Sequence, residues 1–466
     1  MDIYGQSLLC ASSNGEIDTV RELLSQPNYN TFIESRDDDG NTSLHIACAS
    51  GNICVATELL NKNANIETIN NSNHTPLIYA TGKGHFEIVK ELLERNANVE
   101  MTDDTMHSAL HYASDLGYIN IVQVLLKYNA NVNAINNKND TPLLYASIRG
   151  FTDVVSMLLD NNADIESTGS YYTPLLCASD NSHMDVVQIL LERKANIENT
   201  DKEGHILLHN ASCNNHIDLV RNLLKHNVIV DVIDNTYNTP LLYASQRGHI
   251  DIVFELLKHN ANIEFKDNKG NTALHNASMD DHVNIVSMLL NHNANIDSKN
   301  KHGGTSLHLA CMVGNISVVI ELLNRDADIE ERSYKLDTPL ICASSIGNNN
   351  VVVELLNRNA NINATDIDSI DSLLFASYYG NIDVVVELLN RNANIMTTDN
   401  NGNTPLHNAS KCNHINVVKE LLSRNANIDT KNIDDMTPYD VAVSNNSNNE
   451  IILLLKNNID NSSDSD

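Results

Sequence analysis

The sequence contains no tryptophan, and aromatic residues make up only 5% of it. A single large core usually draws much of its buried area from big aromatic side chains. With so few of them, 466 residues argue against one such core, although 42% of the chain is apolar. Basic residues are scarce too: 30 Lys and Arg face 60 Asp and Glu, a formal charge of −30. Affinity for a phosphate backbone comes from clustered Lys and Arg, and an anionic lipid surface repels an acidic chain. Nucleic acid and membrane surfaces are therefore not expected partners. Long apolar runs are also missing. The run near the C-terminus, Ile451 to Leu455, is five residues, far short of the ~20 a spanning helix needs. Met1-Asp2-Ile3-Tyr4-Gly5-Gln6 lacks the basic start and apolar stretch of a secretory leader. A cytosolic location is expected. The eight cysteines are scattered with no Cys-x-x-Cys, which fits reduced thiols and neither a disulfide framework nor a zinc site.

What the chain has in excess is asparagine, 71 of its residues, and internal repetition. A phrase recurs as Thr75-Pro76-Leu77-Ile78-Tyr79-Ala80, Thr141-Pro142-Leu143-Leu144-Tyr145-Ala146 and Thr239-Pro240-Leu241-Leu242-Tyr243-Ala244. Its Leu slot is filled fourteen times, from Leu8 and Leu44 through Leu406 to Tyr439. Eleven of the thirteen spacings are 33 residues; Leu8 to Leu44 is 36 and Leu143 to Leu175 is 32. The array fills the chain, leaving no room for a separate catalytic domain.

Each unit has a physical reading. Thr75 is a good N-cap, and Pro76 sits where its missing N–H costs nothing, so a short helix starts there and ends near Gly84. A second helix follows with Ile88, Val89, Leu92 and Leu93 on one face and Glu87, Lys90, Glu91 and Glu94 on the other. Neither can bury its apolar stripe alone, so neighbouring units must stack. The Leu-Leu pair leads into Asn-Ala-Asn, as at Asn96-Ala97-Asn98 and Asn359-Ala360-Asn361. The first Asn sits where a helix stops on a left-handed residue, a conformation Asn tolerates well. Ten of the twelve internal units place Asn there, and Lys194 and Asp326 depart. Part of the Asn excess is therefore predicted to be helix capping. A polar turn such as Asp267-Asn268-Lys269-Gly270-Asn271 joins the units, with the composition of a tight hairpin tip.

These units resemble the ankyrin repeat family. Asp399-Asn400-Asn401-Gly402-Asn403-Thr404-Pro405-Leu406-His407 and Gly248-His249-Ile250-Asp251-Ile252-Val253 carry the family's pattern, and the match spans residues 4 to 456. In its Asn-rich form the array is similar to those of giant viruses and intracellular bacteria. It departs from the family where Asn replaces the Gly before Ala, and where His of the Thr-Pro-Leu-His phrase survives only at His45, His111, His209, His275, His308 and His407. The resemblance implies an all-α solenoid of about 14 stacked helix pairs with short β-hairpin turns over residues 1–456. An acidic, disordered polar tail is expected at 457–466. It also implies a non-enzymatic, monomeric scaffold that binds partner proteins through the concave first helices and the hairpin tips, in its own cytosol or that of a host. The alternative is an adaptor recruiting proteins to a ubiquitin ligase or similar machine. Such adaptors carry an F-box-like helical segment at the C-terminus, whereas here only a short acidic stretch follows Leu455.

Chemistry is thinly supported. His107 and His111, like His205 and His209, have helix-ligand spacing, but the first of each pair falls in the turn and no further ligand repeats beside it. Cys10, Cys177 and Cys342 occupy the slot of Tyr79 and Tyr145 and are expected to be small packing residues. No Gly-rich phosphate loop or nucleophile elbow occurs. Neither catalytic residues, nor metal ligands, nor a cofactor are expected.

Three position-specific expectations follow. Repeats six and seven, residues 165–235, are the weakest copies. The turn Ser167-Thr168-Gly169-Ser170-Tyr171 is one residue short, Lys194 replaces the capping Asn, Ile206-Leu207 replaces Thr-Pro, and Val228 replaces Ala. Asn133 and Asn363 occupy the slot that is hydroxylated in some ankyrin proteins. Finally, the family leaves the end of the first helix exposed, and that slot is polar in most copies. It turns apolar at Val313, Ile346, Tyr379 and Cys412, with Met312 and Tyr378 alongside and Tyr334 and Leu336 in the adjoining tip. At roughly 10 Å per helix layer, this column is about 30 Å of candidate partner-binding surface.

Overall fold

In the computed structural model, residues 3–169, 172–226 and 228–463 are described, and the side chains of 460–463 are not. These residues form helices α1 (Ile3–Asn14) to α28 (Asn449–Ser463), with one 3-10 turn at Tyr29–Thr31. The chain divides into two units, residues 1–214 and 215–466. The first holds α1 to α13 (Leu207–Cys213), and the second begins with α14 (Ile217–Lys225).

One repeat explains the rest. Thr75 caps α5 (Pro76–Gly82), its Oγ1 accepting the Ile78 N–H at 3.2 Å. The helix ends before Gly84, which is left-handed at φ +77°. Helix α6 (Phe86–Glu94) then closes on Asn96, φ +62°, as predicted. The Asn96 N–H donates to Leu93 O and the Ala97 N–H to Leu92 O, both at 3.0 Å. That pair of bonds is a Schellman motif, and it buries the Ala of Asn-Ala-Asn. Eleven of the twelve capping slots are described, Lys194 and Asp326 among them, and all have positive φ. Asn227 lies outside the described residues. The core is built from Leu77, Ile78, Ala80, Ile88, Val89, Leu92 and Leu93, all buried, and from their counterparts, most of them buried too.

The expected β-hairpins are reduced to turns. Among the described residues the only bridges are Arg36 with Thr42, Thr102 with Ser108 and Thr365 with Asp371. The arms are too short for a ladder: each turn closes on itself, as by Asn70 N–H to His74 O at 3.1 Å, and further backbone bonds run from tip to tip. In the first unit Asn71 N–H donates to Asp39 O, Asp104 to Ser72 and Asn137 to Thr105, at 3.0–3.2 Å. In the second, the same pattern runs from Thr236 to Ile433.

Side chains stitch successive repeats as well. His45, His111, His275, His308 and His407 accept a backbone N–H at Nδ1 and reach a carbonyl of the next repeat from Nε2. Within the units, a second set of His and Asn residues opens the second helices and closes the preceding repeat's first helix. His85 reaches Ala49 O at 3.1 Å, and Asn381 donates to Ser344 O and Ser345 O at 2.9 and 3.1 Å. These bonds satisfy carbonyls that a helix C-terminus leaves orphaned. Several of these side chains also lie against the left-handed Gly of the repeat before, as His85 does on Gly51 and Asn381 on Gly347.

Ser170 and Tyr171 lie outside the described residues, but Asn196 N–H still reaches Glu166 Oε1 at 2.8 Å, the bond Asn98 makes to Glu67. At the C-terminus, α28 continues through residues 457–463, the stretch where a disordered tail was expected.

Candidate functional site

The apolar column lies in the second unit. Helices α19 (Ser306–Val313), α21 (Pro339–Ile346) and α23 (Ser372–Tyr379) bury Leu, Ala and Ser on their inner faces. Their last residues fall on the opposite side. Val313 is 54% exposed, Ile346 57% and Tyr379 54%, and Met312 and Tyr378 are exposed beside them. Cys412, following α25 (Pro405–Lys411), is half-buried. Tyr379 stacks on Phe375 of its own helix, with ring centroids 6.3 Å apart and planes 7° from parallel, and meets Tyr378 edge-on at 5.1 Å. The Tyr378 carbonyl is held by His414 Nε2 at 2.9 Å. The rings of Phe375, Tyr378 and Tyr379 thus pack against one another at the end of the helix.

The adjoining tip carries Tyr334, 67% exposed, and Leu336 at φ +66°. A left-handed leucine is strained by about 1–2 kcal/mol, and Gly270, Gly303 and Gly402 fill the same slot elsewhere. Arg332 braces the turn, donating to Leu336 O at 3.3 Å and to Thr365 O at 2.8 Å.

A cleft of about 450 Å³ opens between the tips and first helices of repeats ten and eleven. It joins two members of the predicted set, Met312 and Tyr334, along with Leu309, Cys342, His302, Lys301 and Lys335. Val313, Leu336, Ile346, Tyr378, Tyr379 and Cys412 do not line it. Cys342 stands where Tyr243 stands in repeat eight, with a smaller side chain. The sequence reading missed the lysines at the rim, whose signal was basic tip residues in an acidic chain. It also missed Ile367 and Ile433, exposed apolar residues on later tips.

The other candidates resolve differently. Burial pushes the Cys177 and Cys342 thiols up to about 12, and those of Cys48 and Cys311 higher still, so they remain protonated and unreactive. Cys10 is exposed and so is not the packing residue expected. His107 spends Nε2 on Tyr145 Oη at 2.9 Å and Nδ1 on Thr105 Oγ1 at 2.6 Å, while His111 is engaged by Ser108 and Asp140. His205 meets Asp201 Oδ2 at 2.9 Å. Asp201, Glu203 and His205 place one ligand-type atom each within 4.8 Å of one another, and Lys202 pairs with Glu203 at 3.5 Å. Asn133 and Asn363 are exposed. Asn133 Oδ1 accepts the Asp164 N–H at 2.8 Å, a bond that Glu supplies in most other repeats. Among the described residues no helix is long and apolar enough to cross a membrane.

A family model described as ankyrin repeats (3 copies) matches in overlapping windows from residues 7–103 and 56–136 through 298–366 and 373–465. The crystal structure of the human ASB11 ankyrin repeat domain is similar at 26% identity, covering 43% of this chain and 89% of that one, with a TM-score of 0.40. No curated protein matches.

Proposed function

We propose, on the premise that the chain belongs to the ankyrin repeat family, that it is a non-enzymatic, monomeric scaffold that holds a partner protein on the second unit. Ankyrin repeats generally are protein–protein interaction modules. The docking surface is the column Val313, Ile346 and Tyr379 with Met312, Tyr378 and Cys412 beside it, extended by Tyr334 and Leu336. One observation carries this reading: successive first helices end in large exposed apolar side chains in a slot that is elsewhere mostly charged or polar. Solvation gives no reason to put them there, and contiguous apolar surface marks interaction sites. Aromatic rings are frequent sources of binding energy, about 2 kcal/mol or more each.

The test is Tyr379→Ala combined with Ile346→Ser, compared with the parent chain by affinity capture and mass spectrometry. The double variant should keep its far-UV circular dichroism and lose the main captured protein. If repeats eleven and twelve unfold instead, these residues are core and the surface lies elsewhere.

A further inference from the structure

We propose that the partner presents an extended acidic segment, with one apolar side chain seated in the cleft of repeats ten and eleven and flanking carboxylates paired with Lys301 and Lys335. The inference rests on the docking reading above and names the chemistry of what docks there.

Two features of the site converge on it. The first is shape. Cys342 replaces the Tyr that occupies its slot at Tyr243, and the cleft of about 450 Å³ is walled by Leu309, Met312 and the exposed Tyr334 ring. A space of that size takes a leucine or aromatic side chain and its backbone, not a folded domain. The second is charge. The Lys269, Lys301 and Lys335 ammonium groups are exposed on three successive tips and have no carboxylate or hydrogen-bond partner among the described residues. Of the nearby carboxylates, Asp337 lines the cleft and Asp368 is exposed on the next tip, while three are hydrogen-bonded or paired. Asp267 accepts the Lys269 and Asn271 N–H groups, Asp337 the Ser333 hydroxyl, and Glu331 pairs with Lys299 at 2.6 Å. In a chain of charge −30 this is a local inversion. An acidic segment is the ligand it attracts, and a chain this acidic repels such a segment elsewhere.

The full chain is panned against a displayed library of random dodecapeptides, and the dominant peptide, fluorescently labelled, is titrated against variants. The expected peptide combines Asp or Glu with a leucine or aromatic residue, and its binding weakens as salt rises. Lys301→Glu with Lys335→Glu should weaken it at least about tenfold, and so should Cys342→Tyr, which fills the cleft with the side chain repeat eight carries. Circular dichroism controls for folding in each case. If binding depends on Tyr379 and Ile346 but ignores Cys342 and the lysines, this inference is overturned and the docking reading stands. If no peptide is enriched, or binding depends on neither set, this inference is overturned, while the docking reading is decided by the capture experiment above.

Discussion

His275 holds two repeats together through both of its ring nitrogens: Nδ1 accepts the Thr272 N–H at 3.1 Å and Nε2 lies 3.1 Å from the Gly304 carbonyl. Because Nδ1 must accept, only the neutral ring fits. Burial accordingly lowers His45, His111 and His275 to about 4. A histidine depressed in the folded state takes up its proton more readily when unfolded, so stability is full above about 6.5 and lost as pH falls toward 4. Each residue then contributes about 2 kcal/mol of loss at pH 5, at order of magnitude. Urea midpoints followed by circular dichroism should drop between pH 7 and pH 5; an unchanged or higher midpoint refutes this.

Asn381 should be replaceable by histidine but not by alanine. His282 and His414 make the same closing bond to Gln246 O and Tyr378 O, so Asn381→His should lie within about 0.5 kcal/mol of the parent. Asn381→Ala leaves two helix-end carbonyls without their donor and should cost about 1–2 kcal/mol. Thermal melts of the two variants decide the point.

Repeat seven starts badly and can be repaired. Ile206 stands at the N-cap of α13 and offers no side-chain acceptor, whereas Thr75 and Thr239 accept a helix N–H. Ile206→Thr with Leu207→Pro should add about 1 kcal/mol. Slower hydrogen exchange at residues 208–213 is the expected readout, and faster exchange would show that the apolar pair matters more as packing.

Lys194 sits at φ +64° without the tolerance of Asn or Gly. Lys194→Asn should stabilise the first unit by about 0.5–1 kcal/mol, because the strained conformation is retained while its cost falls. Chemical denaturation measures the gain.

Alkylation should separate the thiols. In the native chain near pH 8, iodoacetamide should modify Cys10 and Cys54, which are exposed, and spare Cys48, Cys177, Cys311 and Cys342. Peptide mass spectrometry after brief labelling reports each site.

What was legible in the sequence was what one repeat decides within itself. Thr75, Pro76, Asn96 and the Leu92–Leu93 pair act within a few residues, and their caps and burial agree with the spacing argument. The exposed column was legible because it is a departure from a fourteen-fold pattern. Bonds between repeats were harder to read. The closing role of Asn381 joins residues 36 and 37 apart, and no local propensity announces it. The bonds that tie each turn to the neighbouring tip were not foreseen for a related reason, since they too join residues about one repeat apart. The cleft escaped notice because it is rimmed by lysines that are dispersed along the chain yet fall on adjacent tips.

The stitching bonds recur at nearly fixed sequence offsets: 29 residues for His45, His111, His275, His308 and His407, 31 for Glu67 and Glu264, and 36 for His85 and His282. Each joins one repeat to the next and to no other. Within either body, excising or duplicating one whole period in the gene would therefore recreate the same junction, with every donor meeting an equivalent acceptor. The length of such a chain is heritable without being structurally fixed, and a surface such as that of Val313 to Tyr379 could be copied or moved along it by recombination alone.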